Sequence, residues 1–162
     1  MAIEPVREFF KQYGIDGRIR EFDVSSATVE LAAQALGCAP ARIAKTLSFF
    51  SSGDGCVLIV AAGDAKVDNA KFKAQFGMKA KMLTPDQVIE RCGHAVGGVC
   101  PFAVKETAKV YTDISLQRFD VVYPACGSSN SAIPLNCDEL YSYSKSLGWV
   151  DVCKAWQDAK SQ

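Results

Sequence analysis

RIAKTLSFFSSGDGCVLIVAA, residues 42–62, decides the architecture. Two strand-forming runs, IAKTLSFF and CVLIVAA, flank SSGDG, whose glycines and aspartate suit a hairpin turn. Along the first run the side chains alternate between faces, so Ile43, Lys45, Leu47 and Phe49 fall together. A lysine among three apolar residues has two readings. It can lie near a strand end and carry its amine out to water, or it can hold an ammonium at the mouth of a pocket, as a point charge for a phosphate or carbonyl oxygen. Thr46 projects to the other face, with its backbone near the same place.

Around this hairpin the sequence predicts interspersed helices and strands. Ile3, Val6, Phe9, Phe10 and Tyr13 recur at helical spacing, with Gly14 as a stop, and RIREFDV reads as a strand. Thr28 caps VELAAQAL, and NAKFKAQF is stopped by Gly77. Thr84, Pro85 and Gln87 supply a cap, a first-turn proline and a capping-box partner for TPDQVIERCG. KVYTDIS, DVVYPAC and SAIPL are further strands. Asn136 caps CDELYSYSK, GWVDVC returns as a closing strand, and the tail after Cys153 frays. Helices that do not alternate strictly with strands predict an α+β domain: a mixed, mostly antiparallel sheet with helices packed around it and no repeated parallel crossovers. Residues 1–162 read as a single domain, with no internal repeat or dividing linker.

The composition, 49% hydrophobic and 22% charged, is that of a soluble globular protein. No apolar run is as long as a membrane span and the N-terminal stretch reads as an amphipathic helix, so a cytoplasmic location without membrane partners is expected. Seven cysteines form an odd set without a CxxC, and the single histidine, His94, has only Cys92 and Cys100 close in sequence. Free thiols, no metal and no organic cofactor are expected. A net charge of zero argues against a general nucleic-acid coat. Lys66, Lys71, Lys73, Lys79 and Lys81 nevertheless crowd one segment, as a solvated helix face or as a local track for phosphates.

Three further stretches carry possible chemistry. In GHAVGGVCPF, residues 93–102, Gly97 and Gly98 let a backbone approach a ligand and aim N–H groups at a developing oxyanion, and Pro101 stiffens the exit; an ordinary surface turn is the plainer alternative. ACGSSNSAI offers small residues, hydroxyls and an amide as a pocket wall, or simply a hairpin turn. Cys100 with His94 suggests a nucleophile and base, but no acidic orienter is evident.

Taken in order, TVELAAQALGC, ARIAKTLSFF, LIVAAGDAKVD, GHAVGGVCPF and DVVYPACGSSNSAIPL resemble the YbaK/EbsC-type aminoacyl-tRNA deacylases, stand-alone relatives of the editing domain of bacterial prolyl-tRNA synthetases. The resemblance implies a mixed sheet closed into a barrel-like core. It also implies hydrolysis of mischarged aminoacyl-tRNA carrying a small amino acid, on tRNA-Pro or a related tRNA, with an aminoacyl-tRNA synthetase as a further partner. By position, Lys45 matches the family lysine facing the tRNA 3′ end. Gly97 through Pro101, with Gly98, Val99 and Cys100 inside, matches the GxxxP loop lining the acyl site. Gly127, Ser128, Ser129 and Asn130 resemble the small-residue turn bordering the amino-acid pocket. Lys45, Gly97 and Gly98 are thereby the expected catalytic set, with Thr46, His94, Val99, Cys100, Pro101 and residues 127–130 binding substrate. Cysteine-directed relatives carry a basic, glycine-containing turn followed by aspartate where this chain has GSSNSAI, a departure that argues against a cysteinyl substrate. A non-catalytic module binding aminoacyl-tRNA or a synthetase is the alternative, and a cysteine hydrolase of small molecules is a second.

Overall fold

A computed structural model describes residues 3–157. The quoted stretch forms β2 (Ile43–Phe50) and β3 (Cys56–Ala62), antiparallel and in register from Ala44 opposite Ala62 to Phe50 opposite Cys56. They are the centre of a five-stranded sheet ordered β6-β2-β3-β5-β8, with β5 (Ala108–Asp113), β6 (Tyr123–Pro124) and β8 (Trp149–Val150). The helices are α1 (Ile3–Lys11), α2 (Val29–Leu36), α3 (Asn69–Phe76), α4 (Pro85–Cys92) and α5 (Cys137–Tyr143).

The sheet is mixed, as expected, but the predominance of antiparallel pairing does not hold within it. Only β2 and β3 run antiparallel, and β6–β2, β3–β5 and β5–β8 are all parallel. Parallel crossovers therefore recur, one of them carrying α3 and α4 between β3 and β5. The reason is visible in CVLIVAA: all seven residues of β3 are buried, and a strand covered on both faces is uniformly apolar instead of alternating. Two ribbons complete the sheet system, β1 (Arg20–Glu21) with β7 (Ser131–Ala132) and β4 (Lys66–Val67) with β9 (Cys153–Lys154), both antiparallel. A bridge from Val122 to Leu135 and the bond from Ile133 N–H to Pro124 O link β6 to the β1–β7 ribbon.

RIREFDV contributes two strand residues where seven were expected, and GWVDVC divides into β8 and β9. The frayed tail lies partly outside the described residues; within them Lys154 belongs to β9. The helix caps follow the sequence closely. Thr84 with Gln87 and Asn136 with Glu139 form complete capping boxes, and the Thr28 hydroxyl accepts from Leu31 N–H. One apolar core takes in Val6 and Phe10 of α1, Phe72 of α3, Val88 of α4, all of β3, and Val152 and Cys153. A smaller cluster joins Ala32 and Ala33 of α2 to Ile43. Among the described residues no helix is long and apolar enough to cross a membrane.

Candidate functional site

Lys45 sits in the middle of the first half of β2, between buried Ala44 and half-buried Thr46. Its amine does not simply run out to water. Nζ donates to Gly63 O at 3.2 Å and also to Ala65 O, both in the turn leaving β3. That turn is pressed against the entry to β2, since a Cβ on Gly63 would lie 2.0 Å from Pro40 O and 2.8 Å from Val29 Cγ1. Two carbonyls thus hold the ammonium in place, each contributing acceptor density that partly offsets lost hydration. Burial lowers the Lys45 pKa from its ordinary value, and the Lys66 charge lowers it further against the opposing pull of Asp64 and Glu30. The Lys45 Cε signal in carbon NMR of lysine-labelled protein is therefore expected to titrate below those of exposed lysines. Lys66→Ala should move it back upward.

Beside this lysine lies a cavity of about 480 Å³. Lys45, Thr46, Leu47 and Ser48 of β2 form one side, with Val29 and Ala32 of α2, Leu83, Val88 and Val96 around it. Gly97 and Val99 enter from the glycine loop, and Tyr123, Ala125, Ser131 and Ala132 close the far side. Small and apolar side chains dominate, with hydroxyls from Ser26, Thr28, Ser48 and Ser131 interspersed. The Thr46 Oγ1 is buried without a hydrogen-bond partner among the described residues.

The glycine loop reaches the cavity with some of its expected members. Gly97 holds the left-handed conformation, φ +96°, which favours glycine. Gly98 does not line the cavity: its N–H donates to Ala95 O at 3.0 Å, and it packs against the backbone of Gly127 and Ser128. Cys100 and His94 lie behind the loop, buried and outside the cavity lining. His94 Nε2 is 2.7 Å from Phe102 O and 3.5 Å from Cys100 Sγ, so the pair fastens the loop's exit. Burial pushes the Cys100 thiol well above the usual thiol range and lowers the His94 pKa, disfavouring a thiolate–imidazolium couple. Pro101 lines a separate cavity of about 320 Å³ with Phe9, Tyr143 and Lys145.

The turn at residues 127–130 acts one layer out. Ser129 O accepts from Ser26 N–H at 2.7 Å, Asn130 O accepts from Phe22 N–H at 2.8 Å, and Asn130 Nδ2 donates to Phe22 O at 3.0 Å. Ser128 Oγ is engaged with Asn130 Oδ1 and, at 2.6 Å, with Ser131 Oγ. These bonds hold down the segment that presents Ser26, Ala27 and Thr28 to the cavity. The stretch ACGSSNSAI does border the cavity, but through Ala125, Ser131 and Ala132 and not through the expected residues 127–130; Ser26, from a segment distant in sequence, was not foreseen. Among the described residues no group of three His, Cys, Asp or Glu is placed to hold a metal.

A mixed α/β fold with a lysine anchored at the edge of a small-residue cavity defines a pocket domain whose fixed charge comes from an ammonium. The family model "Aminoacyl-tRNA editing domain" matches residues 24–143, and the chain belongs to that family. It is 52% identical over 157 residues to "Uncharacterized protein YwhH" of Bacillus subtilis (strain 168), covering 97% of this chain and 100% of that one. It is 27% identical over 116 residues, 71% of each chain, to "Putative Cys-tRNA(Pro)/Cys-tRNA(Cys) deacylase EbsC" of Enterococcus faecalis (strain ATCC 700802 / V583). Among solved structures, "a putative trans-editing enzyme for prolyl tRNA synthetase" superposes with a TM-score of 0.84 at 25% identity, covering 94% of this chain and 97% of that one.

Proposed function

We propose that the chain, acting as one unit over residues 1–162, is a trans-editing hydrolase that removes a small amino acid from mischarged tRNA-Pro or a related tRNA. The observation carrying this is the cavity itself, about 480 Å³ and walled by small residues, with the Lys45 ammonium held at its edge by two carbonyls. The printed names of two relatives, "Putative Cys-tRNA(Pro)/Cys-tRNA(Cys) deacylase EbsC" and "a putative trans-editing enzyme for prolyl tRNA synthetase", support the reaction class.

The aminoacyl ester is already activated, so the protein has mainly to position it and stabilise developing charge. Lys45 holds the terminal phosphate or ribose region, and Gly97 and Val99 place the loop backbone against the acyl carbonyl. Water attacks the carbonyl carbon, assisted by the substrate's own amine or hydroxyl. The bond to the ribose oxygen breaks, and that oxygen takes a proton, leaving free amino acid and tRNA. Steric exclusion by Val29, Leu83, Val88 and Val99 filters side-chain size. It is a stronger filter than preference among acids that fit, where one methylene is worth about 1–3 kcal/mol. A cysteine nucleophile fits poorly, because Cys100 is buried behind the loop.

The test is loss of label from tRNAs carrying Ala, Ser, Thr, Cys, Pro and 2-aminobutyrate. Wild type should hydrolyse a subset selectively, and Cys100→Ala should do so at a comparable rate, at a stability loss of about 1 kcal/mol in thermal unfolding. Abolished hydrolysis in folded Cys100→Ala protein would point to the cysteine hydrolase. A wild-type protein that binds tRNA and hydrolyses no ester in the panel would be a binding module.

A further inference from the structure

We infer that Lys66 and Lys154, facing each other across the β4–β9 ribbon beside Lys45, form a phosphate-holding site for the RNA strand that leads into the cavity. This rests on the editing reading above for its choice of ligand.

The two lysines are direct cross-strand partners, Lys66 opposite Lys154 and Val67 opposite Cys153. Like charges in that position destabilise a strand pair, and this ribbon has only two residue pairs among which to absorb the cost. The surrounding structure nonetheless pins it. Asp68 N–H donates to Val152 O at 2.8 Å just beyond the pair. Arg118 grips Asp64, in the turn before β4, through two bonds of 3.0 and 2.6 Å, and its guanidinium lies 5.1 Å from the Trp156 ring centroid just after β9. The lysines are therefore held together where a looser ribbon would let them part.

Two of the nearby acids are engaged by other cations, while the Asp68 carboxylate caps a helix and feels the Lys154 charge without forming an ion pair with it among the described residues. Asp64 serves Arg118, and Asp151 accepts from Lys71 Nζ at 3.0 Å. One oxygen of Asp68 caps α3 by accepting from Ala70 and Lys71 N–H. Among the described residues neither the Lys66 nor the Lys154 ammonium has an ion-pair partner, and both side chains are exposed. Lys45 is bonded to the carbonyl of Ala65, the residue immediately before Lys66. The charges thus run from the cavity edge onto the surface; burial is the main cause of the lowered Lys45 pKa, and the Lys66 charge adds a small push in the same direction. A series of cations without ion-pair partners among the described residues, leading away from a pocket, fits a chain of phosphates better than one small anion, because each lysine neutralises a separate charge and releases its counterion.

Uncharged tRNA binding is measured across about 50 to 200 mM salt for wild type, Lys66→Gln/Lys154→Gln, both single variants, and Lys11→Gln/Lys109→Gln as a matched change of charge elsewhere. The salt slope of log affinity should become shallower by about 1 for each lysine removed, hence about 2 for the pair, with the matched control close to wild type. An unchanged slope in the pair, an equal change in the control, or no tRNA binding by wild type overturns the inference; an unchanged slope would leave the lysines as protectors of an exposed edge. Deacylation is followed in parallel with the same proteins. Lysine-dependent binding without ester hydrolysis would sink the hydrolase and keep this site, whereas hydrolysis with an unaltered slope would do the reverse.

Discussion

Lys45→Ala is expected to reduce kcat/KM for aminoacyl-tRNA deacylation by about 100-fold or more, the loss typical of removing one preorganised donor from a site of developing charge. The ammonium is not a freely swinging group: Gly63 O and Ala65 O fix it at the cavity edge. It therefore needs little reorganisation when substrate arrives. The same bonds give it a structural role, since hydrogen bonds to charged groups contribute about 1.5–3 kcal/mol; its partial burial and the access of water to the turn reduce that share. Single-turnover deacylation and thermal unfolding of the same protein separate the two roles. Lys45→Arg sharpens the test, because a planar fork cannot occupy the geometry of a point charge between two carbonyls, and it too should be slow. A folded Lys45→Ala protein that keeps the wild-type rate would remove Lys45 from the mechanism.

Of the expected residues, Lys45, Thr46, Gly97 and Val99 line the cavity, and they were legible in the sequence because the signals were local. The lysine among apolar residues, the paired glycines, and caps such as Thr84 with Gln87 each depend on a few neighbouring residues, and the structure forms all three caps as expected. What escaped was set by contacts distant in sequence. Whether CVLIVAA pairs with a hairpin neighbour on both sides depends on Ala108–Asp113, which returns alongside it some fifty residues later. The uniform apolarity of the run was the one clue that β3 is covered on both faces. The roles of Ser128, Ser129 and Asn130 likewise turn on bonds to Phe22 and Ser26, which no local pattern announces.

Gly98→Ala should have the second large effect, and for a reason different from the one the loop's sequence suggests. The Gly98 N–H already donates to Ala95 O, so the residue's contribution is the space it leaves. A Cβ there would lie 2.6 Å from Gly127 O, 2.7 Å from Gly127 C and 2.9 Å from Ser128 N. All three are backbone atoms, and no rotamer change can clear them. The loop has to move away from the 127–130 turn, and it would carry Gly97 and Val99, which line the cavity, with it. Overpacking of this kind costs about 1–3 kcal/mol, and a displacement on the order of 1 Å in a positioning element can cost about 100-fold in rate. Gly97→Ala provides the comparison. Its Cβ would meet Ala27 and Ser129 Cβ at 3.6 and 3.7 Å, ordinary contact distances. Only its left-handed backbone penalises a side chain, by about 1–2 kcal/mol. Both variants should melt lower than wild type, but Gly98→Ala should lose far more kcat/KM than Gly97→Ala at a temperature where each is folded. Equal losses would trace the effect to stability alone, and a Gly98→Ala protein with wild-type rate and melting temperature would show that the loop and turn do not need this contact to shape the cavity.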